Sequence, residues 1–307
     1  MNNKDARLFL AIAEEQSVTR AAKQIGYTES GASHIIKKLE KEMGFPLFTR
    51  TSRGLILTPN GERMLPHVRR IARAHELFIE EASAIRGGQE GHLVVGSYTS
   101  TALHWLPATL ERFHADYPNI TVGIREGQFY DLETWLKDGS IDFGITGQDP
   151  SSRTDWIPLK SDSYVAVCSR ASSFASRTSF DLKDLENTDC ILMGYGIDRD
   201  LYACLQPRGI HPRLLFSADN EFTILAIVEQ NLAVSVLPEL FLRTYRGDCL
   251  QLPLMQPIER HLGIRIPSLK EASPATRLFI QYLQKTVTMI ESAAPGSAAR
   301  SIAPVQR

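Results

Sequence analysis

The stretch that most restricts the fold is SVTRAAKQIGYTESGASHIIKKLE, residues 17–40. Val18, Ala21, Ala22 and Ile25 recur at steps of three and four, which makes one face of a short helix apolar. Gly26 interrupts that helix, and the Thr28 hydroxyl is placed to cap a second one. Ala32, Ile35, Ile36 and Leu39 then face inward, while Thr28, Ser30, Ser33, His34 and Lys37 face out. Two short helices around a glycine turn, with an outer face of small polar and basic residues, describe a helix-turn-helix. Such a unit offers its second helix to the DNA major groove, where hydroxyls and cations meet base edges and phosphates.

The residues that follow extend the pattern. Residues 43–50 lead through Thr51, Ser52, Arg53 and Gly54 into Leu55, Ile56, Leu57 and Thr58, which reads as a two-stranded wing with Arg50 and Arg53 near its tip. The region resembles the N-terminal domain of LysR-type transcriptional regulators, whose motifs run S-x-T-x-A-A, S-x-x-I-x-x-L-E, G-x-x-L-F-x-R and L-T-x-x-G. Ser17, Thr19, Ala21, Ala22, Ser33, Ile36, Leu39, Glu40, Gly44, Leu47, Phe48, Arg50, Leu57, Thr58 and Gly61 stand in register with them. Glu29, Ser30 and His34 depart from the family's usual Gln, Pro and Arg, at outward sites that bear on base reading.

The rest of the chain reads in series. Residues 3–16 form an opening helix with Leu8, Phe9, Ile12 and Ala13 inward, and residues 1–58 are expected to make the winged helix-turn-helix domain. Pro59 starts a long helix over residues 59–87, in which Met64, Val68, Ile71, His75, Phe78, Ala82 and Ile85 alternate steps of four and three. That is a heptad seam, and it predicts a partner helix and a homodimer. Residues 88–91 read as a hinge.

Beyond the hinge, strands and helices alternate. The order over residues 92–145 is β-α-β-α-β, with one helix over 100–117, which predicts a parallel sheet. Residues 92–161 and 267–291 are expected to form one α/β lobe and residues 162–266 a second, with a disordered tail over 292–307. Two α/β lobes joined by two crossings resemble the effector domain of LysR-type regulators, itself like a type II periplasmic binding protein. Leu106–Pro107, Phe113, Tyr117–Pro118, Leu136 and the run from Asp142 to Ile145 carry that likeness. Asn231 stands where the family usually has a glycine, and is expected to keep a left-handed turn.

Ligands of such two-lobe sheets lie between the lobes, at strand ends and helix N-termini. Ser97, Thr99, Ser100, Thr101, Gln128 and Thr146 in the first lobe, with Tyr195 and Arg199 in the second, are therefore the candidate effector contacts. Hydroxyls beside helix amides point to an anionic effector. A capping role for Ser100 and a solvated role for Arg199 are the alternatives at those positions.

Charge supports one polyanion-binding end. Residues 1–88 hold 14 Lys+Arg against 10 Asp+Glu, and residues 89–307 hold 20 against 25. The start of the chain has no signal-peptide shape and no apolar run reaches membrane length, so a cytoplasmic location without a membrane partner is expected. No H-E-x-x-H, G-x-S-x-G, P-loop or G-x-G-x-x-G is present, which argues against an enzyme. No cofactor and no metal site is expected; Cys168, Cys190, Cys204 and Cys249 are widely spaced. The resemblance implies a homodimer assembling as a homotetramer, promoter DNA, a small-molecule effector, and RNA polymerase as a further partner. Two alternatives stay open: redox sensing through Cys190 and Cys204, and an effector-independent DNA-binding protein.

Overall fold

The computed structural model describes residues 1–52, 54–86, 90–194, 198–243 and 245–293. In the head, α1 (Asn3–Glu15), α2 (Val18–Ile25) and α3 (Glu29–Met43) begin on side-chain caps: Asn2, Ser17 and Thr28 accept from the amides of Asp5, Arg20 and Gly31. α2 ends on Gly26 in the left-handed region, φ 76°, which a residue with a Cβ adopts at a cost. Leu8, Phe9, Ile12, Ala21, Ala22, Ala32, Ile36 and Leu39 are all buried and form one core with Leu47 and Phe48. The hairpin of β1 (Phe48–Thr51) and β2 (Gly54–Leu57) is the wing expected from the sequence.

The wing is tied to α3 by Glu40, whose Oε1 accepts from the Leu47 and Phe48 amides at 2.7 and 3.2 Å. Thr58 caps the next helix, α4 (Pro59–Ile85), by accepting from the Gly61 amide, and its hydroxyl donates to the Pro46 carbonyl. A Cβ on Gly61 would lie 2.1 Å from the Leu47 carbonyl oxygen, so only glycine lets α4 rest on the wing.

The expected seam along α4 divides in two. Val68 is 1% exposed and, with Ala72 and the half-buried Met64 and Leu65, packs into the head's own core. The first half of α4 therefore has enough core to lie on, because α1 runs beside it. Ile71, His75, Phe78, Ile79 and Ile85 remain exposed, with Phe78 at 68%, and Ala82 is half-buried. The hinge expected over 88–91 and the tail over 292–307 lie largely outside the described residues.

The body starts with β3 (Gly91–Ser97), α5 (Thr99–His104), α6 (Leu106–Asp116), β4 (Ile120–Glu126), α7 (Phe129–Asp138) and β5 (Phe143–Gly147). The single helix expected over 100–117 is broken at Trp105, because Pro107 lacks an amide and its ring crowds the preceding turn. β3 pairs in parallel with β4 on one side and β5 on the other. β6 (Asp155–Ser169) then leaves this lobe. Lobe II is built from β7 (Cys190–Met193), α8 (Arg199–Leu205), β8 (Leu214–Ala218), α9 (Glu221–Glu229), β9 (Ser235–Pro238), α10 (Glu239–Leu242) and β10 (Cys249–Pro253). β11 (Glu259–Ile266) returns to lobe I, where α11 (Pro274–Ala293) packs.

β6 is the spine of the body. Its Asp155–Ser163 part pairs antiparallel with β11, and its Tyr164–Ser169 part carries β9 on one side and β10 on the other. The sequence reading starts this crossing at Asp162 and contains no β10. Asn231 does adopt the left-handed turn, with φ 56°. Where β6 changes lobe, Glu291 of α11 gathers partners from both. Its carboxylate accepts from Trp105 Nε1 at 3.1 Å and Arg243 Nη1 at 3.0 Å, and ion-pairs with Lys160. Burial opposes its charge, yet these partners hold its carboxyl below the ordinary range. Among the described residues no helix is long and apolar enough to cross a membrane.

Candidate functional site

Two regions of the molecule carry the chemistry. The first is the outer face of α3. Ser30, His34 and Lys37 are exposed there and Ser33 is half-buried, as the helical spacing requires. The Thr28 hydroxyl is exposed but engaged, as the α3 cap and with Ser30 Oγ at 3.3 Å. Glu29, a departure from the family pattern, accepts from the Thr19 hydroxyl at 2.8 Å and so braces α3 against α2. Arg50 stands exposed on the wing; Arg53 lies outside the described residues.

The second region lies between the lobes. α5 begins where β3 ends, so its first turn sits at the lobe boundary, against α10 and the start of β11. Arg260, at the start of β11, is the centre of this region and only 7% exposed. Its Nε donates to Asp162 Oδ2 at 2.9 Å and its Nη2 to Ser100 Oγ at 2.8 Å, and Nη2 also lies 2.8 Å from the same Asp162 oxygen. The rings of Tyr98 and Tyr164 lie 5.6 and 5.9 Å from its guanidinium carbon. Burial opposes the charge on Arg260, but Asp162 beside it more than restores it, and its pKa is raised.

Around this centre lobe II contributes α8 and α9. Asp198 caps α8 by accepting from the Leu201 amide at 3.1 Å, and also accepts from the Tyr164 hydroxyl at 2.7 Å. Arg199 donates across the gap to Asp149 of lobe I at 3.1 Å, with its guanidinium 4.5 Å above the Phe129 ring. Burial pushes up the carboxyl pKa of Asp198, Asp200 and Glu221, and the charge of Asp198 adds to the effect at the other two. Burial and the nearby Asp200 raise the Tyr98 hydroxyl to about 12.

These side chains enclose a cavity of about 20 Å³, lined by Tyr98, Gln128, Tyr164, Met193, Asp198, Arg199, Asp200, Glu221, Pro238 and Arg260. A wider mouth of about 530 Å³ lies beside it, sharing Gln128 and lined by Thr99, Glu126, Gly127, Tyr130, Asp131, Asp219 and Asn220. Both draw on both lobes.

The candidate contacts sort unevenly against this geometry. Gln128, Thr99 and Arg199 line the gap. Ser100 is 1% exposed, takes the Arg260 hydrogen bond, and makes no side-chain cap on α5. Ser97, Thr101 and Thr146 are buried in lobe I: Ser97 and Thr101 bond each other at 2.7 Å, and Thr146 donates to Tyr98. Buried hydroxyls have to find partners, and these found them within their own lobe. Tyr195 lies outside the described residues. Ser97, Ser100, Thr101, Thr146 and Arg199 are thus engaged within the protein, while Thr99 and Gln128 line the gap beside several carboxylates. Tyr164, Asp162, Asp200, Glu221 and Arg260 escape a reading of the sequence. The polar run Glu259–Arg260–His261 entering an apolar strand was the one local signal for Arg260.

A redox pair of Cys190 and Cys204 fits poorly. Cys190 is fully buried, burial pushes its thiol up to about 12, and it donates to the Arg213 carbonyl.

Comparison with known proteins agrees with both regions. A family model described as the LysR substrate binding domain matches residues 86–288, and one described as a bacterial regulatory helix-turn-helix protein of the lysR family matches residues 4–62. The uncharacterized HTH-type transcriptional regulator YvbU of Bacillus subtilis is 28% identical over 280 residues, covering 90% of this chain and 95% of that protein. The transcriptional dual regulator GltC of the same organism is 26% identical, covering 95% and 99%. The crystal structure of full-length CbnR complexed with its target DNA superposes with a TM-score of 0.67 at 20% identity, covering 93% of this chain and all of that one. The chain belongs to the LysR family of transcriptional regulators, with a DNA-binding helix-turn-helix head and an effector-binding body.

Proposed function

We propose that this regulator binds promoter DNA sequence-specifically as a homodimer, paired into a homotetramer, and that a small molecule between the two lobes controls that binding. The observation that carries the reading is the mechanical tie between the gap and α4. Arg73 of α4 is 17% exposed; its Nη2 lies 2.5 Å from Asp142 of lobe I, and its Nη1 lies 3.4 Å from Glu80 and donates to the His92 carbonyl at 3.3 Å. Arg69 pairs with Asp138 one turn away. Lobe I is therefore fixed to the helix that carries the head, while lobe II is joined to it by β6 and β11. Closure of lobe II on lobe I around a ligand favours one arrangement of the heads, provided the ligand binds that arrangement better.

The exposed Ile71, Phe78, Ile79 and Ile85 of α4 supply the apolar face for a partner helix. Ser30, Ser33, His34 and Lys37 on α3 are the side chains set to meet base edges, with Arg50 on the wing set to meet phosphate. A cytoplasmic location and contact with RNA polymerase complete the proposal.

The test selects an operator from random duplex DNA with the full-length protein, then measures affinity as a function of salt. His34→Ala changes the selected sequence. Arg50→Ala weakens binding to all sequences and lowers the salt slope by about 0.9, one phosphate contact. A selection that yields no common sequence contradicts the proposal.

A further inference from the structure

Count the charges that surround the gap. Each of its two cations holds a carboxylate, Arg260 that of Asp162 and Arg199, through Nη2, that of Asp149, while Arg199 Nη1 is buried without a hydrogen bond. Among the described residues Asp198, Asp200 and Glu221 form no direct ion pair, although Arg260 lies near enough to favour the charge of all three. The mouth adds Glu126, Asp131 and Asp219, and no Lys or Arg lines it.

Helix capping explains Asp198 but not the other two. The first amides of α9 are served by Asn220, whose Oδ1 accepts from Phe222 and Thr223 at 2.9 and 3.3 Å, so Glu221 is not needed there. Glu221 is 8% exposed and lines the cavity, and apart from its own amide no described group bonds its carboxylate. Asp200 faces Gly147 of lobe I, where a Cβ would come within 3.0 Å of Asp200 Oδ2. A carboxylate held away from water without an ion pair, fully so at Glu221 and partly at Asp200, is costly, and proteins keep such groups where a ligand supplies the missing charge.

We infer that the effector is a small organic amine whose ammonium head enters the inner cavity against Asp200 and Glu221 while its stem lies in the acidic mouth. This rests on reading the gap as an effector site. The inner cavity, about 20 Å³, holds one group of about the size of a water molecule, which an ammonium is. The rings of Tyr98 and Tyr164 beside it suit a cation.

Thermal melting of the full-length protein tests this with putrescine, cadaverine and spermidine, against succinate, glutarate and choline. An amine present about 100-fold above its dissociation constant raises Tm by roughly 5–10 °C. Glu221→Gln and Asp200→Asn each weaken that amine by about ten- to a hundredfold. Without ligand both variants melt at or above wild type, because each removes a carboxyl whose ionisation the folded state disfavours. No response to any amine, a response that both variants leave unchanged, or a lower Tm in both unliganded variants overturns the inference. Equal potency of choline, whose trimethylated head exceeds the cavity, overturns the placement of the head. A response to the dicarboxylates alone overturns the charge class but leaves the effector reading standing. That reading fails separately, if a compound that raises Tm leaves operator binding unchanged.

Discussion

The head and the gap between the lobes use polar side chains in opposite ways. In the head, Ser17, Thr28 and Thr58 each bond an amide three residues ahead, and Glu40 reaches amides seven and eight residues on. In the gap, Ser100 meets Arg260 across 160 residues of chain, Arg260 meets Asp162 across 98, and Arg199 meets Asp149 across 50. The head is a set of local devices that hold a reading helix rigid. The gap is a long-range network whose bonds cross between lobes, and it holds carboxyls whose pKa values burial raises. A rigid reader and a strained sensor are what a ligand-controlled switch needs.

The widest separation of the two regions should come from Arg260→Ala. It leaves Asp162 buried without its cation, and should cost about 3–5 kcal/mol of body stability. Chemical denaturation should show that loss, while the isolated DNA-reading surface keeps its operator preference. A cost below 1 kcal/mol would mean that the network is solvated. Phe78→Glu acts on the helix between the regions. A charge placed in the proposed seam should raise the dimer dissociation constant by about a hundredfold or more. Sedimentation that still shows a tight dimer would remove α4 from the interface.

Thr58→Ala tests the local side of the comparison. It removes the cap of α4 and its bond to Pro46, a loss of about 1 kcal/mol, and should leave the melting response to ligands alone. The smallest effect is in pH. Glu291 has its folded carboxyl pKa lowered, so its contribution is present above the ordinary carboxylate range of about 4–4.5 and is lost as pH falls through the folded value. Glu221 has its folded pKa raised, so ionisation there costs stability above the folded value, a cost relieved as pH falls toward the ordinary one. Glu291→Gln should therefore be destabilised at neutral pH and approach wild type in acid. Glu221→Gln should be stabilised at neutral pH and also converge in acid. Parallel Tm–pH curves for the two variants would contradict the contrast.

What could be read from the sequence follows the same division. The head was legible nearly to the residue, because Gly26, Thr28 and the spacing of Ala32, Ile36 and Leu39 act within a few residues of one another. The body's β-α order was legible too, except where Pro107 splits a helix and where β10 pairs with a strand some 80 residues earlier. The seam was half legible: the periodicity along α4 is real, but periodicity does not say whether Val68 faces its own core or a partner. The gap was legible in place, while the carboxylates that line it were not. Ser100 and Gln128 marked strand ends correctly, but that an arginine of β11 occupies Ser100, and that Asp200 and Glu221 face the gap without a direct ion pair, depends on contacts no spacing encodes.

The central claim is that occupancy of the gap is transmitted to the DNA-reading heads through α4. Footprinting of the selected operator, with and without an amine that raises Tm, tests it most directly. The account predicts that the footprint or its affinity changes over the concentrations that raise Tm, and that Glu221→Gln shifts both curves together by about ten- to a hundredfold. An operator complex indifferent to a ligand that demonstrably fills the gap would contradict it.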